Sequence, residues 1–260
     1  CKFPPADKWP MKLSRPIVAA LASALLAVTS VSAQESTVAT APPLFSRHVE
    51  AVFSRVGCNS GTCHGAVQGK NGFRLSLFGA KGKFDFEQIA RDQAGRRINL
   101  IEPERSLLLA KASGQVPHGG GRLIAPGSRE YEVLRGWLAA GAKLDDTEAS
   151  RIKKLSVTPG EQLLVPGGTY QFKVEAEFVD GSKEDVTGLC GYKSLDERTA
   201  TVDRLGKVQA VGVGDVAISV RFRDEPVMVM ALVTRPGEDV VAFPGRVVGL
   251  MQIGGAHLAA

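Results

Sequence analysis

The hydrophobic period of this chain changes near residue 150, so no single regular architecture accommodates both parts. Upstream, Phe45, Val49, Val52, Phe53 and Val56 recur at helical spacing, which predicts a helix over residues 45–56 with Ser46 as its cap. Pro103 opens a second, short helix over residues 103–111. A third, over residues 128–140, carries Tyr131, Leu134, Trp137 and Leu138 on its apolar side. Downstream, alternating segments between Pro-Gly, Gly-Gly and Asp-Gly turns predict seven strands, at residues 154–158, 170–178, 191–194, 199–203, 207–211, 216–222 and 227–233. Strands this short and this closely spaced fold as an antiparallel sandwich, with Cys190 a buried small hydrophobe beside Gly191 and Tyr192. The expected fold is multidomain: an all-α part over residues 44–145, an all-β sandwich over residues 151–235, and a linker or truncated tail over residues 236–260 in which His257 is a bystander.

Residues 1–33 are set apart from both. Met11-Lys12-Leu13-Ser14-Arg15 is a short basic start, residues 16–33 are uncharged and rich in Ala, Leu and Val, and Val31-Ser32-Ala33 offers small residues for cleavage. This is the pattern of a secretory signal peptide preceded by ten upstream residues; an uncleaved anchor is the alternative, and the only route by which the chain would engage a membrane. Export to the periplasm or cell surface follows. Residues 1–33 carry Lys2, Lys8, Lys12 and Arg15 against Asp7, so without them the charged residues number 28 and 26 and the net charge of +5 falls to +2. That balance, with no basic stripe interleaved with aromatics, excludes nucleic acid as an expected partner. Cys58, Cys63 and Cys190 remain, and an odd count in an exported chain argues against a disulfide framework.

Cys58-Asn59-Ser60-Gly61-Thr62-Cys63-His64 places an imidazole directly after the second of two thiols. A c-type haem is attached in this way: both sulfurs bond the porphyrin vinyl groups and the histidine ligates iron, within Cys-x-x-Cys-His. Here the box is two residues longer, and its small residues around Gly61 are expected to bulge away as a flexible insert. Phe73, Leu75, Leu77 and Phe78 follow as candidates to line an apolar haem pocket.

These residues resemble a planctomycete-type cytochrome c module followed by a bacterial Ig-like domain of group 2. The first resemblance runs from about Phe45 to Ala142, through Val56-Gly57-Cys58, Cys63-His64-Gly65, Ser106-Leu107-Leu108 and Trp137-Leu138-Ala139-Ala140-Gly141-Ala142. The second runs from about Leu155 to Val233, through Val179-Asp180-Gly181-Ser182, Asp185-Val186-Thr187, Ser194-Leu195-Asp196 and Thr201-Val202-Asp203 before Gly206-Lys207-Val208. The resemblance implies an all-α cytochrome c-like haem domain followed by an all-β Ig-like sandwich, as the front portion of a longer architecture.

One covalently attached haem c, held by Cys58 and Cys63, makes His64 the proximal iron ligand. The usual distal ligand in small cytochromes c is methionine, yet none lies between residues 34 and 227. His118, in Gln115-Val116-Pro117-His118-Gly119-Gly120-Gly121, occupies the place of the resembled family's methionine loop and is the candidate distal ligand. A solvated His118 beside a five-coordinate iron is the other reading, and His48 is expected at the surface. Arg74, Arg96 and Arg97 are candidates for propionate contacts. Two imidazoles leave no open position on iron, so outer-sphere electron transfer to an unidentified redox protein is expected rather than catalysis. No Ser-His-Asp set or acid/base carboxylate pair stands out to oppose that reading. Two non-haem readings stay open: zinc on Cys58, Cys63, His64 and His118, or a surface adhesion scaffold in which Cys58 and Cys63 form a disulfide loop and the Ig-like domain contacts a cell surface or polysaccharide.

Overall fold

A computed structural model describes residues 41–236 of the chain, which belong to one compact unit. The predicted signal peptide, the tail beyond residue 236 and His257 lie outside the described residues. The first predicted helix is present as a π-helical turn, Phe45–Val49, running into α1, Glu50–Val56, and Gly57 ends it in the left-handed conformation at φ 83°. Its cap is Leu44 rather than Ser46, which sits inside the helix with its backbone N–H on Asp145 Oδ1 at 2.7 Å. Helix α2, Gly82–Phe86, continues into a second π turn, Glu87–Arg91, in a segment where periodicity predicted no element. The second predicted helix is split: a 3-10 turn, Pro103–Arg105, precedes α3, Leu107–Ala112. The third is α4, Arg129–Ala139, whose Tyr131 N–H bonds the Ser128 Oγ cap at 3.3 Å.

Ten strands form three sheets where seven strands were predicted. Strands β1 (Ile152–Thr158), β4 (Lys173–Phe178) and β5 (Lys183–Asp185) make one antiparallel sheet. In the second, β2 (Gln162–Leu164) lies parallel to β10 (Glu225–Val233), which pairs antiparallel with β9 (Gly214–Phe222), and β6 (Gly191–Ser194) closes the edge. The third joins β3 (Thr169–Gln171), β8 (Lys207–Ala210) and β7 (Ala200–Val202). The single strand predicted over residues 170–178 is thus divided between sheets. Phe172 is the crossing point, its N–H bonded to Gly206 O at 3.0 Å and its ring buried. Alternation elsewhere does what it predicted: Val216, Ile218, Val220 and Phe222 of β9 all point into the core. Cys190 is buried as expected, and burial pushes its thiol up to about 12.

The helical and β parts share one buried apolar cluster, which extends from Phe45, Val49 and Trp137 to Phe178 and Phe222. Arginines fasten the seam. Arg47 is buried with its guanidinium 4.0 Å over the Phe178 ring, and it donates to Ser182 Oγ at 2.7 Å, Glu184 Oε1 at 2.7 Å, Asp180 Oδ2 at 2.5 Å and Ser150 Oγ at 3.1 Å. Arg55 bonds Glu130 Oε1 at 2.8 Å and reaches the backbone carbonyls of Cys190 and Arg204. Arg223 donates from β-turn position to Ser46 O at 2.6 Å and Ser150 O at 3.1 Å. His48 is part of this seam rather than surface: its Nδ1 accepts from Leu44 N–H at 2.8 Å, so Nε2 carries the proton donated to Glu184 Oε2 at 2.9 Å.

Glu50 of α1 is 1% exposed and faces Asp85. Two carboxylates this close disfavour each other's ionisation, most of all where water is excluded. Burial, then Asp85, holds the Glu50 carboxyl well above its ordinary 4.5, with Arg223 opposing and Asp224 adding to the shift. A carboxyl with a raised folded-state pKa stabilises the fold fully below the unfolded value and progressively less as pH rises through the folded one. Glu50→Gln is therefore expected to remove a loss of stability that the unmodified chain shows as pH rises above the ordinary 4.5, read from urea midpoints along that rise. Parallel pH profiles for the two chains would refute the raised Glu50 carboxyl.

Candidate functional site

The helix that carries Arg47 and Arg55 runs directly into the cysteine box. After Gly57, the box winds as consecutive turns: Cys58 N–H bonds Phe53 O at 2.9 Å, Cys63 N–H bonds Ser60 O at 3.0 Å, and His64 N–H returns to Cys58 O at 2.9 Å. The four intervening residues do not bulge as a flexible insert. Asn59 turns inward and is fully buried; with its carboxamide oxygen toward Gly79 N–H at 3.0 Å and Ser54 Oγ at 3.1 Å, its NH2 reaches Phe53 O at 3.3 Å. Gly61 and Thr62 face solvent. A side chain at Gly65 would meet Asn59 O at 2.1 Å, so the residue after the histidine has to be glycine.

His64 and His118 meet across one groove. Its walls are Phe53, Phe73, Leu75, Leu107, Leu108 and Ala112, with Cys58 at one side and Lys70, Arg96, Arg97 and Lys111 among its polar residues. The imidazole centroids are 6.3 Å apart and the ring planes 7° from parallel. Each ring is held the same way: His64 Nδ1 lies 3.0 Å from Phe73 O and His118 Nδ1 lies 3.0 Å from Gly121 O. A carbonyl only accepts, so both Nδ1 atoms carry the proton and both Nε2 atoms keep a lone pair. Burial lowers the His64 pKa, which keeps that ring neutral and able to ligate. Burial, reinforced by Cys63, pushes the Cys58 thiol up to about 12.

The sequence-predicted residues divide on this geometry. Cys58, His64, His118, Arg96, Arg97, Phe73 and Leu75 converge on the groove. Cys63 is half-buried beside it on the same turn, and all three described cysteines are free thiols. Arg74 does not join them: it lies over the Phe84 ring at 5.4 Å and lines a neighbouring groove with Leu77. Phe78 is also elsewhere, under the Arg221 guanidinium at 4.3 Å. Arg97 is already committed, donating to Asp92 Oδ2 at 3.0 Å and Gln88 O at 2.7 Å with its guanidinium 4.5 Å over Phe73. It therefore braces the wall that braces His64. Arg96 is exposed at the groove and enters no ion pair among the described residues, which leaves it able to meet an anionic substituent. Sequence reasoning missed Lys70, Lys111 and the inward turn of Asn59, because nothing in the pattern marks them.

Does this donor set fit a haem? Two imidazoles on opposite sides of one metal, with bonds of about 2 Å and ring centres about 1 Å beyond the nitrogens, have centroids about 6 Å apart. The observed pair matches that spacing with both lone pairs unengaged. The enclosed part of the groove is ≈ 190 Å³, below the roughly 300–1,000 Å³ of a site that encloses its ligand. Zinc fits less well: among the described residues no three His, Cys, Asp or Glu side chains are grouped to hold an ion. A porphyrin needs only two donors from the protein.

Residues 151–224 match the bacterial Ig-like domain (group 2). They span β1 to β9, the sandwich for which the resemblance implied an Ig-like domain. No curated protein matches the chain. Among solved structures, domains 4 and 5 of the S-layer protein SbsC are 23% identical with a TM-score of 0.29, covering 32% of this chain and 53% of that one. Domains 1–6 of the surface layer protein SbsC are 23% identical with a TM-score of 0.30, covering 34% of this chain and 14% of that one. The chain thus spans about half of the first structure and a small part of the second. No helix among the described residues is long and apolar enough to cross a membrane.

Proposed function

We propose that the helical part is a cytochrome c-like module in an exported electron-transfer protein, in which Cys58 and Cys63 would hold one haem c and His64 and His118 would ligate its iron. The observation that carries this reading is the meeting of His64 and His118 over one apolar groove, 6.3 Å apart, each with Nδ1 tied to a backbone carbonyl. The haem would supply a one-electron iron couple. The chain's own residues do the rest. Phe73 O and Gly121 O fix the tautomers and orientations of the two rings, and such outer partners also raise ligand basicity. Phe53, Leu75, Leu107 and Leu108 exclude water from one side, while Arg96 and Lys70 offer positive charge at the mouth. Two imidazole ligands would leave the iron without a position for a substrate, which suits exchange of single electrons with a redox protein.

The experiment is expression of the exported chain with and without a cytochrome c maturation system, followed by haem staining after denaturation and a visible spectrum. Haem that survives denaturation only in the matured chain is the expected result. A colourless chain, or a Cys58–Cys63 disulfide formed in the presence of the maturation system, would overturn it.

The Ig-like match over residues 151–224 favours a second reading, a non-haem surface or scaffold protein whose sandwich does the binding. That reading expects a colourless, fully folded chain under both conditions.

A further inference from the structure

A cavity of ≈ 500 Å³ that shares no lining residue with the groove lies where α1, α2 and the Ig-like domain meet. Its floor is Ser46, Glu50 and Arg223, each at least nine-tenths buried. Ser46 Oγ, both Glu50 carboxyl oxygens and Arg223 Nε find no ordinary hydrogen-bond partner in the protein. Buried polar groups are rarely left so, and three orphans beneath one cavity ask for something polar to sit over them. Lys81, Lys83 and Arg151 join Arg223 around it, against Glu148 and Asp224. Arg151 is already paired with Glu148 at 3.4 Å, whereas Lys81 and Lys83 are exposed and enter no ion pair among the described residues. Even with Glu50 ionised, Lys81, Lys83, Arg151 and Arg223 outnumber Glu50, Glu148 and Asp224 around the cavity, so the balance is cationic.

We propose that this cavity binds a small organic carboxylate of about monosaccharide size, its anionic group between Lys81, Lys83 and Arg223 and its hydroxyls toward Ser46 and Glu50. The volume selects against a bare inorganic ion, which would fill only a fraction of a space in the range of roughly 300–1,000 Å³ used for organic ligands. The charges select against a neutral sugar, because the two unpaired lysines and the unpartnered Arg223 Nε would face no counter-charge.

The test is calorimetric titration of the full chain at low salt with galacturonate and citrate, alongside galactose and sulfate. Saturable binding of galacturonate or citrate with a Kd below about 1 mM is expected, with no saturation by galactose or sulfate. The double variant Lys81→Ala/Lys83→Ala changes only exposed side chains, and should weaken binding about tenfold or more while its thermal unfolding in the absence of ligand stays unchanged. Failure of both carboxylates to bind, equal binding by sulfate or galactose, or an undiminished affinity in the double variant would each overturn the proposal. None of these outcomes depends on haem loading.

Discussion

In the haem-loaded chain, His118→Ala is expected to convert a low-spin absorption spectrum almost completely to a high-spin one, and added imidazole is expected to restore the low-spin form. His118 sits on a glycine-rich loop, but Gly121 N–H closes a turn on His118 O at 2.9 Å and Gly121 O takes the ring Nδ1 at 3.0 Å. One residue therefore fixes both the backbone and the imidazole, and the alanine variant would lose the donor without disturbing the wall of Leu107, Leu108 and Phe73. Retention of haem on Cys58 and Cys63 separates loss of a ligand from loss of the fold, because covalent attachment does not depend on the distal side. Spin state read by visible absorption and electron paramagnetic resonance decides the matter. A low-spin spectrum that survives His118→Ala would assign the distal position to another residue.

The second large effect is on stability. Arg47→Ala should destabilise the chain by about 3–5 kcal/mol, since it leaves Asp180 and Glu184 without their buried partner and opens space over Phe178. That is a large share of the roughly 5–15 kcal/mol by which a domain is stable. Arg198→Ala is the natural control, because its ion pair with Asp196 is at the surface and its removal should leave the urea midpoint where it was. Trp137 is buried in the helical core, so its fluorescence reports that part, while far-UV circular dichroism reports both. Coincident transitions by the two probes are expected before and after the substitution. Two separated transitions in the unmodified chain would contradict a seam that unfolds with the rest.

The two parts and their main elements were legible in the sequence because they rest on local repetition. Phe45, Val49, Val52 and Phe53 come back every three or four residues, and Val216, Ile218, Val220 and Phe222 every two. The convergence of Cys58, His64 and His118 was legible for a different reason: the box fixes two of them by spacing, and the scarcity of methionine left His118 as the distal candidate. What pattern could not show is anything decided by distant partners. Arg47 and His48 read as a polar helix face, and only the arrival of Asp180, Ser182 and Glu184 turns that face inward. Arg74 and Arg97 look alike in sequence, yet one lies over Phe84 and the other is tied to Asp92 beneath Phe73. Strands β2 and β5 are three residues long, too short to establish a period, and exist because β10 and β4 lie ready beside them.

The seam also ties the groove to the sandwich. Arg47 and Arg55 leave the helix that leads into Cys58 and take hold of the Ig-like domain at Asp180, Glu184, Cys190 and Arg204. Such a mount has no slack comparable to a flexible linker, which would let the two parts sample many separations. A macromolecule gripped by the sandwich would accordingly meet the groove at one distance and one angle in every copy.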